Sequence, residues 1–324
     1  MFADAAPAGL IGLHDAVFSE YSPLSANAEL ARRLLSPLTA AQLPQILARS
    51  EKGLSEQPIN LAEERFLLYV PASAPARGYA LLVFVAPFEK PLLPHGWAAV
   101  LDRYGVIFVS AARSGNEANP LARREPLALL AAYNVMRRYA VDPERVYVGG
   151  FSGGSRVALR LALGYPDVFH GALLNAGGDP IGDAATALPP ADLLRQFQQS
   201  TRLVYVTGDA DSERRAMDAQ SIHSLRQWCV FDIDTQVTRR TGHEIATPAA
   251  LERALHALQN PRRPDAAKLE ACRSSNETQL TQQLDAVRSF IAAGKRTDAQ
   301  KLLHEIDTRF GGMAAPRSLE LARQ

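Results

Sequence analysis

The stretch RVYVGGFSGGSRVALR, residues 145–160, sets a lone serine among glycines at the point where a strand turns into a helix. Val146, Tyr147 and Val148 are β-branched and aromatic, as suits a buried strand. Val157, Ala158, Leu161 and Ala162 recur at helical spacing, so the periodicity predicts a helix over 155–164. Between the two, Gly150-Phe151-Ser152-Gly153-Gly154 fits the G-x-S-x-G elbow. A serine hydroxyl is a poor nucleophile unless the backbone pushes it out toward a base. That turn demands strained dihedrals at Ser152 and no Cβ where chains approach closely. It also aims the N–H of Gly153, at the start of the helix, toward the place where an oxyanion would form. With 21 glycines in the chain, a five-residue match can arise by chance, so the rest of the sequence decides.

Working outward, strand-like runs are expected at 66–70, 81–85, 106–110, 146–148, 172–174, 203–207 and 232–238. Helical patterns alternate with most of them, at 92–104, 125–139, 155–164, 192–200, 212–228 and 248–259. The runs 81–85 and 106–109 are continuously apolar, as in parallel strands covered on both faces. The alternation implies an α/β sandwich with a mostly parallel sheet. Residues 1–60 read as an N-terminal helical extension, with helical stretches at 27–35 and 39–50 punctuated by prolines. The α/β unit spans 61–262 and ends in the linker Asn260-Pro261-Arg262-Arg263-Pro264. Residues 263–324 form a helical hairpin packed on the core, with Leu280, Leu284, Val287 and Ile291 facing Ala299, Leu302, Leu303 and Ile306 across Gly294.

Composition narrows the function. The 324 residues are 47% hydrophobic with a net charge of +1, which predicts no nucleic-acid surface and no polybasic anchor. No apolar run approaches the ~20 residues of a membrane span, and no signal-peptide pattern is present. The opening Met1-Phe2-Ala3-Asp4-Ala5-Ala6-Pro7-Ala8-Gly9 reads like the start of a mature exported protein with a methionine attached, so a periplasmic or secreted location is expected, with a cytoplasmic one as the alternative. The two cysteines, Cys229 and Cys272, form a disulfide in an oxidising compartment or stand as two buried thiols.

Two loops downstream carry the chemistry. The run 203–207 ends in Gly208-Asp209-Ala210-Asp211-Ser212-Glu213, and carboxyl ends of parallel strands are where such sheets build their sites. Asp209 or Asp211 can orient a base, while Asp211 or Ser212 can equally cap the following helix. The loop lacks the glycine and closing glutamate of an EF-hand, so calcium is not expected. After 232–238 comes Gly242-His243-Glu244, a tethered loop histidine suited to a general base. Thr247 stands where H-E-x-x-H needs its second histidine, and neither a metal nor a cofactor is expected.

The order Ser152, then Asp209 or Asp211, then His243, after successive strands, resembles the α/β-hydrolases. Within that superfamily the chain is most similar to bacterial esterases of the polyhydroxybutyrate depolymerase and feruloyl esterase kind. The resemblance is carried by residues 141–154, by Tyr165-Pro166-Asp167-Val168-Phe169 with Gly171-Ala172, by Gly208-x-x-Asp211 and by Gly242-His243. It implies an acyl-transfer triad of Ser152, His243 and Asp211, the G-x-x-D spacing favouring Asp211 over Asp209, and a small-molecule ester as substrate. The His-Gly oxyanion motif of lipases is absent. The corresponding run ends Val85-Ala86-Pro87-Phe88-Glu89, and Pro87 has no N–H, leaving Phe88, or Glu89 after it, as the second donor beside Gly153. Arg113 and Asn116, which leave the run 106–110 on the same edge, are expected to contact substrate, while Arg123-Arg124 and Arg239-Arg240 either line the rim or are solvated or structural. A serine peptidase on the same fold and a non-catalytic binding protein on a hydrolase scaffold are the alternatives.

Overall fold

The computed structural model describes residues 10–48 and 56–324. The opening nonapeptide, and the last two residues of the helix expected at 39–50, lie outside the described residues. Eight strands form one sheet: β1 (Gly12–Ala16), β2 (Phe66–Val70), β3 (Tyr79–Val85), β4 (Val106–Ala111), β5 (Val141–Phe151), β6 (Gly171–Asn175), β7 (Arg202–Gly208) and β8 (Ile233–Thr238). Their spatial order is β1-β2-β4-β3-β5-β6-β7-β8. The six strands from β4 to β8 are parallel, and β1 and β2 close one edge antiparallel. This is the arrangement of an α/β-hydrolase.

Side chains alternate across each strand, so one run feeds two cores. Leu81, Val83 and Val85 of β3 join the core under α4 (Glu125–Arg138) and α5 (Gly153–Gly164), whereas Ala80, Leu82 and Phe84 join that under α3 (Trp97–Tyr104) and α8 (Pro248–Gln259). All seven β3 residues are buried, which is why the run is uniformly apolar.

Three readings of the sequence shift. The stretch Gly12–Ala16, inside the expected N-terminal helical extension, is a strand that pairs with β2, ahead of α1 (Asn27–Leu34) and α2 (Pro37–Ala48). The helix expected over 92–104 starts only at Trp97, because Pro94 and the left-handed Gly96 (φ 77°) hold the approach out of helical geometry. The strand expected over 146–148 is eleven residues long and reaches past Pro143, with a register shift opposite Tyr79 and Leu81 that absorbs the proline.

The remaining helices are α6 (Ala191–Ser200), α7 (Ser212–Gln227), α9 (Ala266–Ala292), α10 (Arg296–Phe310) and α11 (Arg317–Ala322). Leu280, Leu284, Val287, Ala299, Leu303 and Ile306 are buried in the same core as α4 and α5. Phe310 meets Trp228 edge-on at 5.5 Å, and the Gly312 N–H donates to Leu188 O at 2.7 Å. The helical hairpin therefore braces the loop between β6 and α6. Cys229 and Cys272 form a disulfide that ties α9 to the end of α7 across a sequence separation of 43. Closing a loop of that length restricts the unfolded chain by about 4 kcal/mol in the chain-entropy treatment. Cys229→Ser/Cys272→Ser is accordingly expected to lower the urea midpoint, with a loss of about 2–4 kcal/mol. An unchanged midpoint would show that the hairpin is held by packing alone.

Candidate active site

The elbow is built by exclusion of side chains. Ser152 has φ 54° and ψ −120°, a conformation that costs a non-glycine residue roughly 1–3 kcal/mol. A Cβ on Gly154 would lie 1.8 Å from the Val85 carbonyl oxygen, and one on Gly150 would lie 2.2 Å from the Gly154 carbonyl carbon. Only glycine fits at either place. The Ser152 N–H donates to Asn175 O at 2.9 Å, which fixes the turn against β6.

The elbow delivers the Ser152 hydroxyl to His243. Ser152 Oγ lies 2.9 Å from His243 Nε2, and His243 Nδ1 lies 2.7 Å from Asp211 Oδ2. Asp211 is buried, whereas the His243 ring is partly exposed and lies against Phe151, ring centroids 4.9 Å apart. Asp211 uses its other oxygen, Oδ1, to accept from the Arg214 N–H at 3.3 Å, so the cap of α7 and the contact to the imidazole coexist in one carboxylate. Asp209 goes elsewhere: it accepts from Thr241 N, and the N–H of Arg240, ahead of that of Thr241, holds its carboxyl below the usual range. It shapes the turn that leads to His243.

Asn175 carries no motif in the sequence, and Arg124 stands there only as one of a pair that lines the rim or is solvated or structural. Asn175 is buried at the end of β6; its amide donates to Val206 O, and its oxygen accepts from Ala246 N at 2.7 Å, pinning the His243 loop to the sheet. Its one legible signal is a polar residue ending the apolar run Ala172-Leu173-Leu174 at the strand's carboxyl end. Arg124 is 3% exposed and donates to Ala86 O, Ser114 O and Gly153 O. One guanidinium thus ties the loop after β3, the loop after β4 and the start of α5. Burial, with Arg156 nearby, pushes its pKa down to about 10. Nothing in the dipeptide Arg123-Arg124 distinguishes it from Arg123, which instead pairs with Glu64.

The N–H groups of Gly153 and Phe88 donate to no other protein group among the described residues. The Phe88 loop is held on both sides, by Asn116 N–H to Pro87 O at 3.1 Å and Arg113 N–H to Glu89 O at 2.7 Å. Asn116 does meet the elbow: a Cβ on Gly153 would come 2.2 Å from its Oδ1. The Arg113 side chain does not, because its guanidinium is engaged by Glu63 O and the Glu64 carboxylate. Arg113 is thus already paired to a buried acid, with its side chain still partly exposed. Among the described residues, no three His, Cys, Asp or Glu side chains converge as a metal site, and no helix is long and apolar enough to cross a membrane.

Residues 110–235 match the family described as esterase PHB depolymerase. Over this segment the chain is similar to esterases of the α/β-hydrolase kind. The segment runs from the end of β4 through the elbow and Asp211 into β8, and stops short of His243. Among curated relatives, a poly(3-hydroxybutyrate) depolymerase of Ralstonia pickettii is 32% identical over 98 residues, 26% of this chain and 20% of that protein. A poly(3-hydroxyalkanoate) depolymerase C of Paucimonas lemoignei is 47% identical over 45 residues, 14% of this chain and 11% of the relative. The chain thus matches only a minor part of the length of these relatives. Among solved structures, a poly(3-hydroxybutyrate) depolymerase of Bordetella parapertussis superposes with a TM-score of 0.45 at 18% identity, covering 64% of this chain and 88% of that one.

Asp218 sits behind Asp211, accepting from Thr207 Oγ1 at 2.5 Å. Burial, and less strongly the Asp211 charge, push its pKa up to about 6. The folded state therefore holds this proton more tightly than the unfolded chain, and that stability is present below pH ~4 and lost as pH rises through about 6. Asp218→Asn should out-melt the wild type at pH 7.5 by up to about 3 kcal/mol, with the advantage vanishing near pH 4. A difference independent of pH would refute the assignment. Gly154→Ala, which drives a Cβ into the Val85 carbonyl, is expected to abolish activity or folding outright; an active, equally stable variant would show that the elbow can open.

Proposed function

We propose that the protein is a serine hydrolase that cleaves a carboxylic ester through an acyl-enzyme, with Ser152 as nucleophile, His243 as general base and Asp211 as its orienting carboxylate. The observation that carries this reading is the continuous hydrogen-bonded chain Ser152–His243–Asp211 on a strained elbow. Similarity to depolymerases of polyhydroxyalkanoates, which are polyesters, supports ester rather than amide as the bond cleaved.

In the first step His243 Nε2 takes the Ser152 proton as Oγ attacks the ester carbonyl carbon. The oxyanion is held by the N–H groups of Gly153 and Phe88, each donor worth on the order of 3 kcal/mol in such sites. Arg124 keeps the two donors in register by gripping Ala86 and Gly153 together. Collapse breaks the C–O bond, and the imidazolium returns its proton to the departing alkoxide. Water then enters, His243 takes one of its protons, and attack on the acyl-enzyme releases the acid and regenerates the Ser152 hydroxyl. The Asp211 carboxylate fixes the tautomer with Nδ1–H toward itself and stabilises the imidazolium in both halves.

The catalytic unit is the α/β portion, residues 61–262, with 263–324 as a brace against the β6–α6 loop. The Cys229–Cys272 bridge supports a periplasmic or secreted location, since such bonds persist in oxidising compartments.

With 4-nitrophenyl butyrate as substrate, Asp211→Asn is expected to lower kcat by about 10⁴-fold, whereas Asp209→Asn should stay within about fivefold of wild type. The reverse ranking would transfer the orienting role to Asp209. Arg124→Met should reduce kcat by about 10²-fold with little change in KM, because it misplaces a donor used in the transition state. A parallel rise in KM at constant kcat would assign Arg124 to substrate binding instead.

A further inference from the structure

Beside the elbow lies a cleft of about 490 Å³ that reaches Gly153, the residue after the nucleophile. Its walls include Asn116, Arg156 and Asp179 as polar groups and Leu121 and Val157 as apolar ones. We propose that this cleft is a subsite for a free carboxylate on the substrate, so that the preferred esters carry an acid group a few bonds from the scissile carbonyl. The proposal rests on the reading of Ser152 as nucleophile.

The cleft is lined by three arginines, Arg124, Arg156 and Arg160, and one acid, Asp179. Arg160 is committed to the buried Glu125 carboxylate at 2.6 Å and to Ala185 O at 2.7 Å. Arg124 spends its donors on three carbonyls and hydrogen-bonds to no carboxylate, Glu125 and Glu89 acting on it only through space. Asp179 is the one acid lining the cleft; burial raises its pKa, and Arg156 acts against that shift. Arg156 makes no hydrogen bond or ion pair among the described residues. Its charge also bears on Arg124, whose pKa it helps to lower. Three guanidinium groups line the cleft against the single carboxylate of Asp179, and that excess of positive charge favours an entering anion.

Geometry favours a carboxylate among anions. Arg156 lies four residues after Ser152, one turn along α5, so its five N–H donors stand on the elbow's side of that helix. The guanidinium fork matches a carboxylate with two parallel hydrogen bonds. The Asn116 side chain, likewise without a hydrogen-bond partner among the described residues, abuts Gly153 with its Oδ1 nearer than its Nδ2, and its amide lines the path from the nucleophile into the cleft. Leu121 and Val157 suit the short hydrocarbon link between acid and ester.

The test compares mono(4-nitrophenyl) adipate with 4-nitrophenyl hexanoate, matched in chain length and leaving group. Wild type is expected to favour the half-ester by tenfold or more in kcat/KM, through KM. In Arg156→Gln that ratio should fall to near unity, and Arg156→Lys should recover part of it. Equal kcat/KM for the two esters in the wild type, or an Arg156→Gln defect that leaves their ratio unchanged, overturns the subsite while leaving the nucleophile standing. Calorimetric titration with monomethyl adipate separates the other failure: binding that Arg156→Gln loses, with neither ester hydrolysed, keeps the subsite and removes the nucleophile.

Discussion

The contact between the end of β3 and the start of α5 governs the rest of the site. The Val85 carbonyl lies so close to the Gly154 backbone that no side chain fits between them. That proximity forces the chain through a sharp turn, and Ser152 takes up the strain with a positive φ. The strain is tolerable because both sides of the turn are anchored: β5 is paired along its length with β3 and β6, and Ser152 N–H is bonded to Asn175. The same closeness places the Phe88 loop, which follows Val85, beside the first turn of α5. A lipase-type glycine motif is replaced here by a loop whose backbone is gripped from behind by Arg124.

Buried polar groups, more than apolar packing, set the geometry around the elbow. Arg124 and Asn175 each satisfy backbone groups from two or three loops that share no secondary structure. Such groups are costly to bury unless their hydrogen bonds are made, so each enforces one arrangement of the loops it joins. The apolar layers do a different task. They fix the sheet and hold the C-terminal hairpin, which steadies Leu188 and the loop bordering the cleft through Gly312 and the Trp228–Phe310 contact. Proposed chemistry and proposed selectivity then divide along this line: Ser152, His243 and Asp211 sit where polar anchors meet, and Arg156 is left without one.

Much of this was legible in the sequence because the signals were local. The elbow, the acidic loop and the Gly242-His243 loop each announce themselves within a few residues, and their order along the chain encodes their position along the sheet. The alternating runs gave the parallel sheet, and stripes at Leu280–Ile291 and Ala299–Ile306 gave the hairpin. What stayed hidden depends on distant partners. The strand Gly12–Ala16 has little alternation of its own and exists by pairing with β2. Arg113 and Arg124 are indistinguishable in sequence, yet one is drawn to Glu64 and the other is buried among carbonyls. Arg156 lay inside the stretch that decided the fold, read there only as part of a helix. Its meaning comes from which partners it lacks, and a sequence does not display that.

The central claim is that Ser152 is the residue that becomes acylated. The direct measurement is peptide mapping by mass spectrometry after brief reaction with a fluorophosphonate. Cleavage after Arg145 and Arg156 isolates a peptide containing both Ser152 and Ser155. A single stoichiometric adduct is expected on that peptide, with fragmentation placing it on Ser152, and its loss in Ser152→Ala. An adduct on Ser155 or on another peptide, or ester hydrolysis that persists in Ser152→Ala at the wild-type rate, would contradict it.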